Sequence, residues 1–275
     1  MERFGRSWEL LKACFAVLRD DKELLLFPIL SGIASLLVLA GFALPVFFAR
    51  LFDNGLVPFN LIVGFLFYLS QSLVIFYFNA ALVGAAIIRL EGGNPTVADG
   101  IRIANAHIMP ILGYAAISAT VGLLLRGRNR RRSGLENTVR KMAGLAWQVA
   151  TTLVIPLLVS RKIGPLDAIA ESTRLLKKTW GENLIGAAGI WIGFRAATFV
   201  YLVFSAALIF GALQVSPQLA IAAGVLCFIG LLLIILIKTA ISAIYTAVLY
   251  RYAVAGSAPE GFESEQLQLA FGNSV

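Results

Sequence analysis

Six stretches of this chain are too long and too apolar to sit easily in a water-soluble core: residues 24–48, 58–88, 108–125, 135–159, 183–213 and 217–250. A helix rises 1.5 Å per residue, so roughly 20 apolar residues cross the ~30 Å hydrocarbon layer of a bilayer. The run at 108–125 is short for that task and the run at 135–159 has a polar start. Those at 58–88, 183–213 and 217–250 are long enough to need tilt or extension beyond the lipid. With 59% hydrophobic and 14% charged residues, and a mean hydropathy of +0.85, the chain lacks the polar surface to cover so much apolar bulk in water. Soluble domains carry about 25% charged residues. The sequence predicts an all-α integral membrane bundle of about six transmembrane helices.

Amphipathic stretches precede alternate runs. Phe4, Trp8, Leu11, Phe15 and Leu18 share one helical face, with Arg6, Glu9, Lys12 and Arg19 elsewhere. Leu166, Ile169, Thr173, Leu176 and Trp180 repeat this arrangement against Asp167, Glu171, Arg174, Lys177 and Lys178, and Val97, Ile101, Ala104 and Ile108 form a weaker third copy. Such faces suit three interfacial helices in the headgroup plane, or helices docked on a partner protein. The order surface helix, span, span then occurs three times, and the even-numbered spans close alike, on Arg89, Arg161 and Arg251, with a glycine and a proline following each. An arginine at a helix end can snorkel and complement the helix dipole, and glycine followed by proline suits a stop and restart. This is read as one transmembrane domain over 1–255, an internal repeat of modules 1–92, 93–163 and 164–255, and a polar tail over 256–275. The first 23 residues do not look like a cleavable signal, so the run at 24–48 is expected to be retained.

An even number of spans places both termini on one side. That side carries thirteen Lys and Arg residues against eight on the other, which predicts cytoplasmic termini. The run from Arg126 to Arg132 strains this rule. Its arginines Arg126, Arg128, Arg130, Arg131 and Arg132, with the span-closing Arg89, Arg161 and Arg251, are the candidate contacts for lipid headgroups. The net charge of +8 fits anionic lipid as a partner better than nucleic acid, since no aromatic-basic RNA motif or zinc-finger pattern accompanies it. A homo-oligomer or a partner membrane protein is compatible with the same composition.

The stretch Ala146-Trp147-Gln148-Val149-Ala150-Thr151-Thr152-Leu153-Val154-Ile155-Pro156-Leu157-Leu158-Val159-Ser160 is followed by Gly164-Pro165-Leu166-Asp167-Ala168-Ile169-Ala170-Glu171-Ser172 and by Lys178-Thr179-Trp180-Gly181-Glu182. Together with Phe78-Asn79-Ala80-Ala81-Leu82, Arg89-Leu90-Glu91-Gly92 and Pro95-Thr96, it resembles a family of uncharacterised prokaryotic polytopic membrane proteins, a domain of unknown function. The resemblance extends up to about Ala255. It implies a multi-pass protein of a bacterial or archaeal inner membrane, with no assigned activity and no site residues to carry over.

An ionisable group within lipid is a functional candidate by default. Arg195 lies twelve residues after Asn183, and Lys238 lies thirteen before Arg251. Both are therefore placed roughly 18–20 Å from the same membrane face. Glu136 is the one acidic residue in any of the six runs, so water, backbone carbonyls, a lipid phosphate or a transported anion are the counterparts considered for the two cations. Trp191 and Tyr245 could instead mark the interface and leave each cation free to snorkel. Further polar positions are Gln71, Asn79, Gln148, Thr151, Thr152, Thr198, Thr239 and Ser242; Asn79, Thr151 and Ser242 lie nine or ten residues before their closing arginines, hence at matching depth. Such side chains hydrogen-bond between helices or line a shared cavity. Arg195, Lys238, Asn79 and Gln148 are the candidate ligand-binding residues.

Catalysis finds no support in the sequence. His107 is the one histidine, and Cys14 and Cys227 the two cysteines; they form no triad, metal-ligand spacing or haem pair, and no P-loop is present. No cofactor or metal is expected, and the chain is not expected to be an enzyme. The expected function is permeation of a small anionic solute or lipid through the bundle. A non-transporting scaffold or accessory subunit and a homo-oligomeric channel are the alternatives.

Overall fold

The computed structural model describes residues 2–48, 57–126, 134–180 and 188–255. Among these residues there is no strand. Helix α1 spans Glu2–Asp20, and a 3-10 turn, Lys22–Leu25, leads into α2, Leu26–Phe48. Then come α3 (Val57–Leu90), α4 (Val97–Ala106), α5 (Ile108–Arg126), α6 (Gly134–Ala150), α7 (Val154–Ser160), α8 (Pro165–Trp180), α9 (Ala188–Leu213) and α10 (Pro217–Ala255). Six segments are long and apolar enough to cross a membrane. The tail at 256–275 lies outside the described residues.

Local chemistry accounts for the joints. Helix α3 ends at Gly92, whose φ of 84° suits glycine. The N–H of Gly92 donates to Arg89 O and that of Gly93 to Ile88 O, both at 3.0 Å, which closes the last turn. Thr96 then caps α4. It accepts from the Asp99 N–H at 3.2 Å, while the Asp99 carboxylate accepts from the Thr96 N–H at 3.0 Å.

The run at 135–159, expected as one helix, is two. The break falls at Thr151–Leu153, between α6 and α7. Pro156 has no N–H for the Thr152 carbonyl, and in a continuous helix its ring would collide with that carbonyl. The hydroxyls of Thr151 and Thr152 turn back onto the carbonyls of Trp147 and Gln148, at 2.8 and 3.0 Å. The break would leave the Leu153 N–H unpaired in the core; it donates instead to Oγ of Ser172, on α8, at 3.2 Å.

Burial divides the molecule into two zones. One continuous core gathers the buried faces of α1, α4 and α8, α7 from Val154 to Leu158, the end of α3 from Ala80 to Leu90 and the end of α10 from Ala240 to Tyr250. We call this zone the cap. Beyond it, α2 from Ile29, α9 from Arg195 and α10 before Lys238 expose large apolar side chains, among them Leu37, Phe204 and Leu226, each more than 60% exposed. These are the shafts. The stretch 217–237 alone is about 31 Å long at 1.5 Å per residue.

The amphipathic helices turn their buried faces into the cap, and those faces are rotated from the ones expected. In α1 the inward residues are Leu10, Cys14 and Leu18, with Phe15 outside; in α8 they are Ala168, Ser172, Leu175 and Leu176, with Leu166 outside. Small side chains such as Cys14, Ala168 and Ser172 allow a closer approach than Phe15 or Leu166 would. Burial pushes the Cys14 thiol up to about 12, and both cysteines are free.

At Gly100 the approach is close on two sides: a Cβ there would stand 2.4 Å from Phe27 Cζ and 2.7 Å from the Ala81 carbonyl. Gly100→Val is expected to destabilise the fold by about 1–3 kcal/mol through overpacking. Ser172→Ala, which leaves the Leu153 N–H without its acceptor, is expected to cost about 1–3 kcal/mol. Thermal unfolding of the detergent-solubilised variants checks both, and wild-type unfolding temperatures would contradict these contacts.

Candidate anion site at the cap–shaft boundary

Helices α2 and α10 both pack along α3 and scarcely touch each other. Where they leave the cap, a cleft of about 250 Å3 lies between them, with Phe27 and Phe78 in its walls. Ser31 lines it from α2, Asn79 from α3, and Lys238, Thr239, Ser242 and Thr246 from α10. Phe27, Pro28, Leu82 and Ala243, all buried, close it on the cap side. No carboxylate is among the lining residues.

The polar lining sorts by what it can offer. Thr239 donates its hydroxyl proton to Ile235 O and Thr246 donates to Ser242 O, each at 2.8 Å, so both threonines present acceptor lone pairs to the cleft. Lys238, the Asn79 amide and the hydroxyls of Ser31 and Ser242 are the donors, all four residues being half-buried. Donors from three helices around a space without carboxylates make a positive, hydrogen-bonding pocket suited to an anion.

The structure brings together two of the four candidate ligand-binding residues, Lys238 and Asn79, with Thr239 and Ser242 beside them. Arg195 is exposed on α9 and Gln148 is exposed on α6; neither lines the cleft. Thr198 bonds the Phe194 carbonyl of its own helix at 2.7 Å. Gln71 lies two turns from Asn79 along α3, its Oε1 buried without a partner. Sequence reasoning missed Ser31, which shares with Ser35 the distinction of being the only hydroxyl in the run at 24–48, and Thr246. His107 sits at the α4–α5 joint with Nδ1 2.9 Å from Ile103 O.

The span-closing arginines have counterions within the protein. Arg89 lies 3.9 Å from Asp20, Arg161 lies 3.2 Å from Glu171, and Arg251 lies 2.5 Å from Glu91. Glu171 also receives Arg174 at 3.0 Å. Arg126 ends α5, and Arg128, Arg130, Arg131 and Arg132 lie outside the described residues. Among the described residues, no group of three or more His, Cys, Asp or Glu could hold a metal ion.

Residues 58–261 match the family described as Family of unknown function (DUF6159). The chain belongs to this family. The match takes in every segment on which the sequence resemblance was drawn, and both Asn79 and Lys238; the α2 wall of the cleft precedes it. Comparison with curated proteins and with solved structures gives no match.

Beside the Arg89–Asp20 pair, Asp21 is 5% exposed and its Oδ2 has no partner. Burial raises its carboxyl above the usual range, with the Arg89 guanidinium opposing the shift. A carboxyl raised by folding binds its proton more tightly in the folded state, so its contribution to stability declines as pH rises above about 4. Asp21→Asn is expected to flatten that part of the stability profile. Melting curves from pH 4 to pH 7 test it, and an unchanged slope would count against a buried, titrating Asp21.

Proposed function

We propose that this chain is a multi-pass integral membrane protein that holds the acidic group of a small anionic solute or lipid in the cleft between α2, α3 and α10. The observation that carries the reading is the convergence of Lys238 and Asn79, from different helices, on one space lined by no carboxylate. The membrane assignment rests on the shafts. Their outward residues are large and apolar, and the exposed lengths of α2 (29–45) and α10 (217–237) are about 25 and 31 Å, comparable with the ~30 Å thickness of the hydrocarbon layer.

On this reading the cap lies outside the hydrocarbon on the side of the termini, the side richer in Lys and Arg, which favours the cytoplasmic face of a bacterial or archaeal inner membrane. Lys238 ends the exposed stretch of α10, and Arg195 begins that of α9, directly after Phe194 packs on the cap core. Both cations then stand at headgroup level, where a charge costs far less than at the bilayer centre. The function is binding or transfer of an anionic ligand. Buried Phe27, Leu82 and Ala243 close the cap end of the cleft, which favours a binding protein, or one that must change shape to pass its ligand, over an open channel.

The protein is expected to stay with membranes through alkaline and high-salt washes and to require detergent for extraction. In detergent, saturation by at least one of inorganic phosphate, glycerol phosphate and phosphatidylglycerol is expected to raise the unfolding temperature by about 5 °C. Lys238→Arg should keep that response and Lys238→Met should lose it. A soluble protein without detergent, or a response indifferent to Lys238→Met, would refute the proposal.

A further inference from the structure

We infer that the cleft is entered sideways from the bilayer, and that its ligand is a membrane lipid with an acidic, hydroxyl-bearing phosphodiester headgroup. The inference rests on the reading of the cleft as an anion site and adds the route and the ligand class. The first argument is the direction of the opening. Towards the cap the cleft ends on buried Phe27, Pro28, Leu82 and Ala243; away from the cap its lining residues Ile75 and Thr239 are exposed.

Beyond that mouth the surface is apolar. On the α10 face that continues from Thr239, Ile235 and Leu232 are exposed apolar side chains. A water-soluble anion coming this way would have to shed its hydration and cross hydrocarbon, at a prohibitive cost. A lipid already has its acyl chains there. Its tails can lie along the gap between α2 and α10 while its headgroup turns inwards, so burial of apolar surface and of charge work together.

Volume and level agree with this division of the ligand. The cleft, about 250 Å3, has room for a phosphate with a small polar substituent, and the acyl chains would lie outside it along the shafts. Lys238 terminates an exposed apolar stretch about one hydrocarbon thickness long, which is where a lipid carries its phosphate.

The lining then selects among headgroups. Lys238, Asn79, Ser31 and Ser242 can donate to the phosphate oxygens. The acceptor-only oxygens of Thr239 and Thr246 suit hydroxyls such as those of a glycerol substituent. A choline or ethanolamine cation would find Lys238 beside it and no carboxylate in the lining, so zwitterionic lipids are disfavoured.

The test measures retention of phosphatidylglycerol against phosphatidylcholine on the detergent-purified full chain by native mass spectrometry, with soluble glycerol phosphate as competitor. Phosphatidylglycerol should be preferred by about tenfold, the preference should vanish in Lys238→Met and persist in Lys238→Arg, and equimolar glycerol phosphate should not displace the lipid. Ser31→Leu, which narrows the facing wall and leaves Lys238 in place, should also abolish the preference; this guards against a Lys238 variant that fails to fold. Displacement by equimolar glycerol phosphate, or Lys238-dependent binding of glycerol phosphate with no preference between the two lipids, would overturn the lateral route and leave the anion site standing. Absence of any Lys238-dependent binding of either lipid or glycerol phosphate would overturn both.

Discussion

The close approach of neighbouring helices to the small residues of α3 is the constraint on which the rest of this structure depends. Ala80, Ala81, Ala85 and Ala86 are all but inaccessible, and a Cβ on Gly84 would stand 2.9 Å from the Ile103 side chain on α4. Helices α2, α4, α5, α7 and α10 all pack on α3. Where its side chains are small, the neighbours draw together into a cap with a continuous core. From Phe78 towards the start of the helix the side chains are larger: α2 and α5 stay on α3, through Phe42 against Phe67 and Gly122 against Tyr68, and the cleft opens between α2 and α10.

The two zones are stabilised by different physics. In the cap, burial of Leu, Ile and Val from seven or more helical segments draws on the hydrophobic effect as in any soluble core. Between shafts read as membrane-embedded that drive would be absent, leaving packing with occasional hydrogen bonds to serve. The α9–α10 pair illustrates this: Ala212, Ala220 and Ala223 meet near its tip, and the Tyr201 hydroxyl donates to the Cys227 carbonyl at 2.8 Å, opposite Gly230, where no side chain could be accommodated.

Much of the helical plan was legible in the sequence, because length and hydropathy suffice to mark an apolar helix. The boundary between cap and shaft was not. Hydropathy does not distinguish Ala240–Tyr250, buried by protein, from 217–237, exposed at the surface, since both are apolar, so counting residues back from Arg251 could not choose between a Lys238 deep in the span and one at its edge. The break in the fourth run had a visible sign, Pro156 behind two threonines, and was overlooked because the flanking residues are apolar enough to read as one span. In the site, Asn79 and Ser242 were found by matching depth. Which of the polar residues face one another depends on helix rotation and on which neighbours are adjacent, and neither is encoded in spacing along a single helix. The faces of α1 and α8 were only partly anticipated for a related reason: Leu18 and Leu176 of the expected faces are buried, but the small Cys14, Ala168 and Ser172 join Leu10 and Leu175 inside while Phe15 and Leu166 stay out.

The Arg251–Glu91 pair joins residues 160 positions apart, and Arg251 belongs to the last turn but one of the last helix. Until α10 emerges during synthesis, α3 has no partner for the face that α10 will cover, and Glu91 lacks this guanidinium. Before then α3 has only α2, α4, α5 and α7 to pack on, and the cleft is open along one entire wall. Installing α10 completes the core and encloses the cleft together.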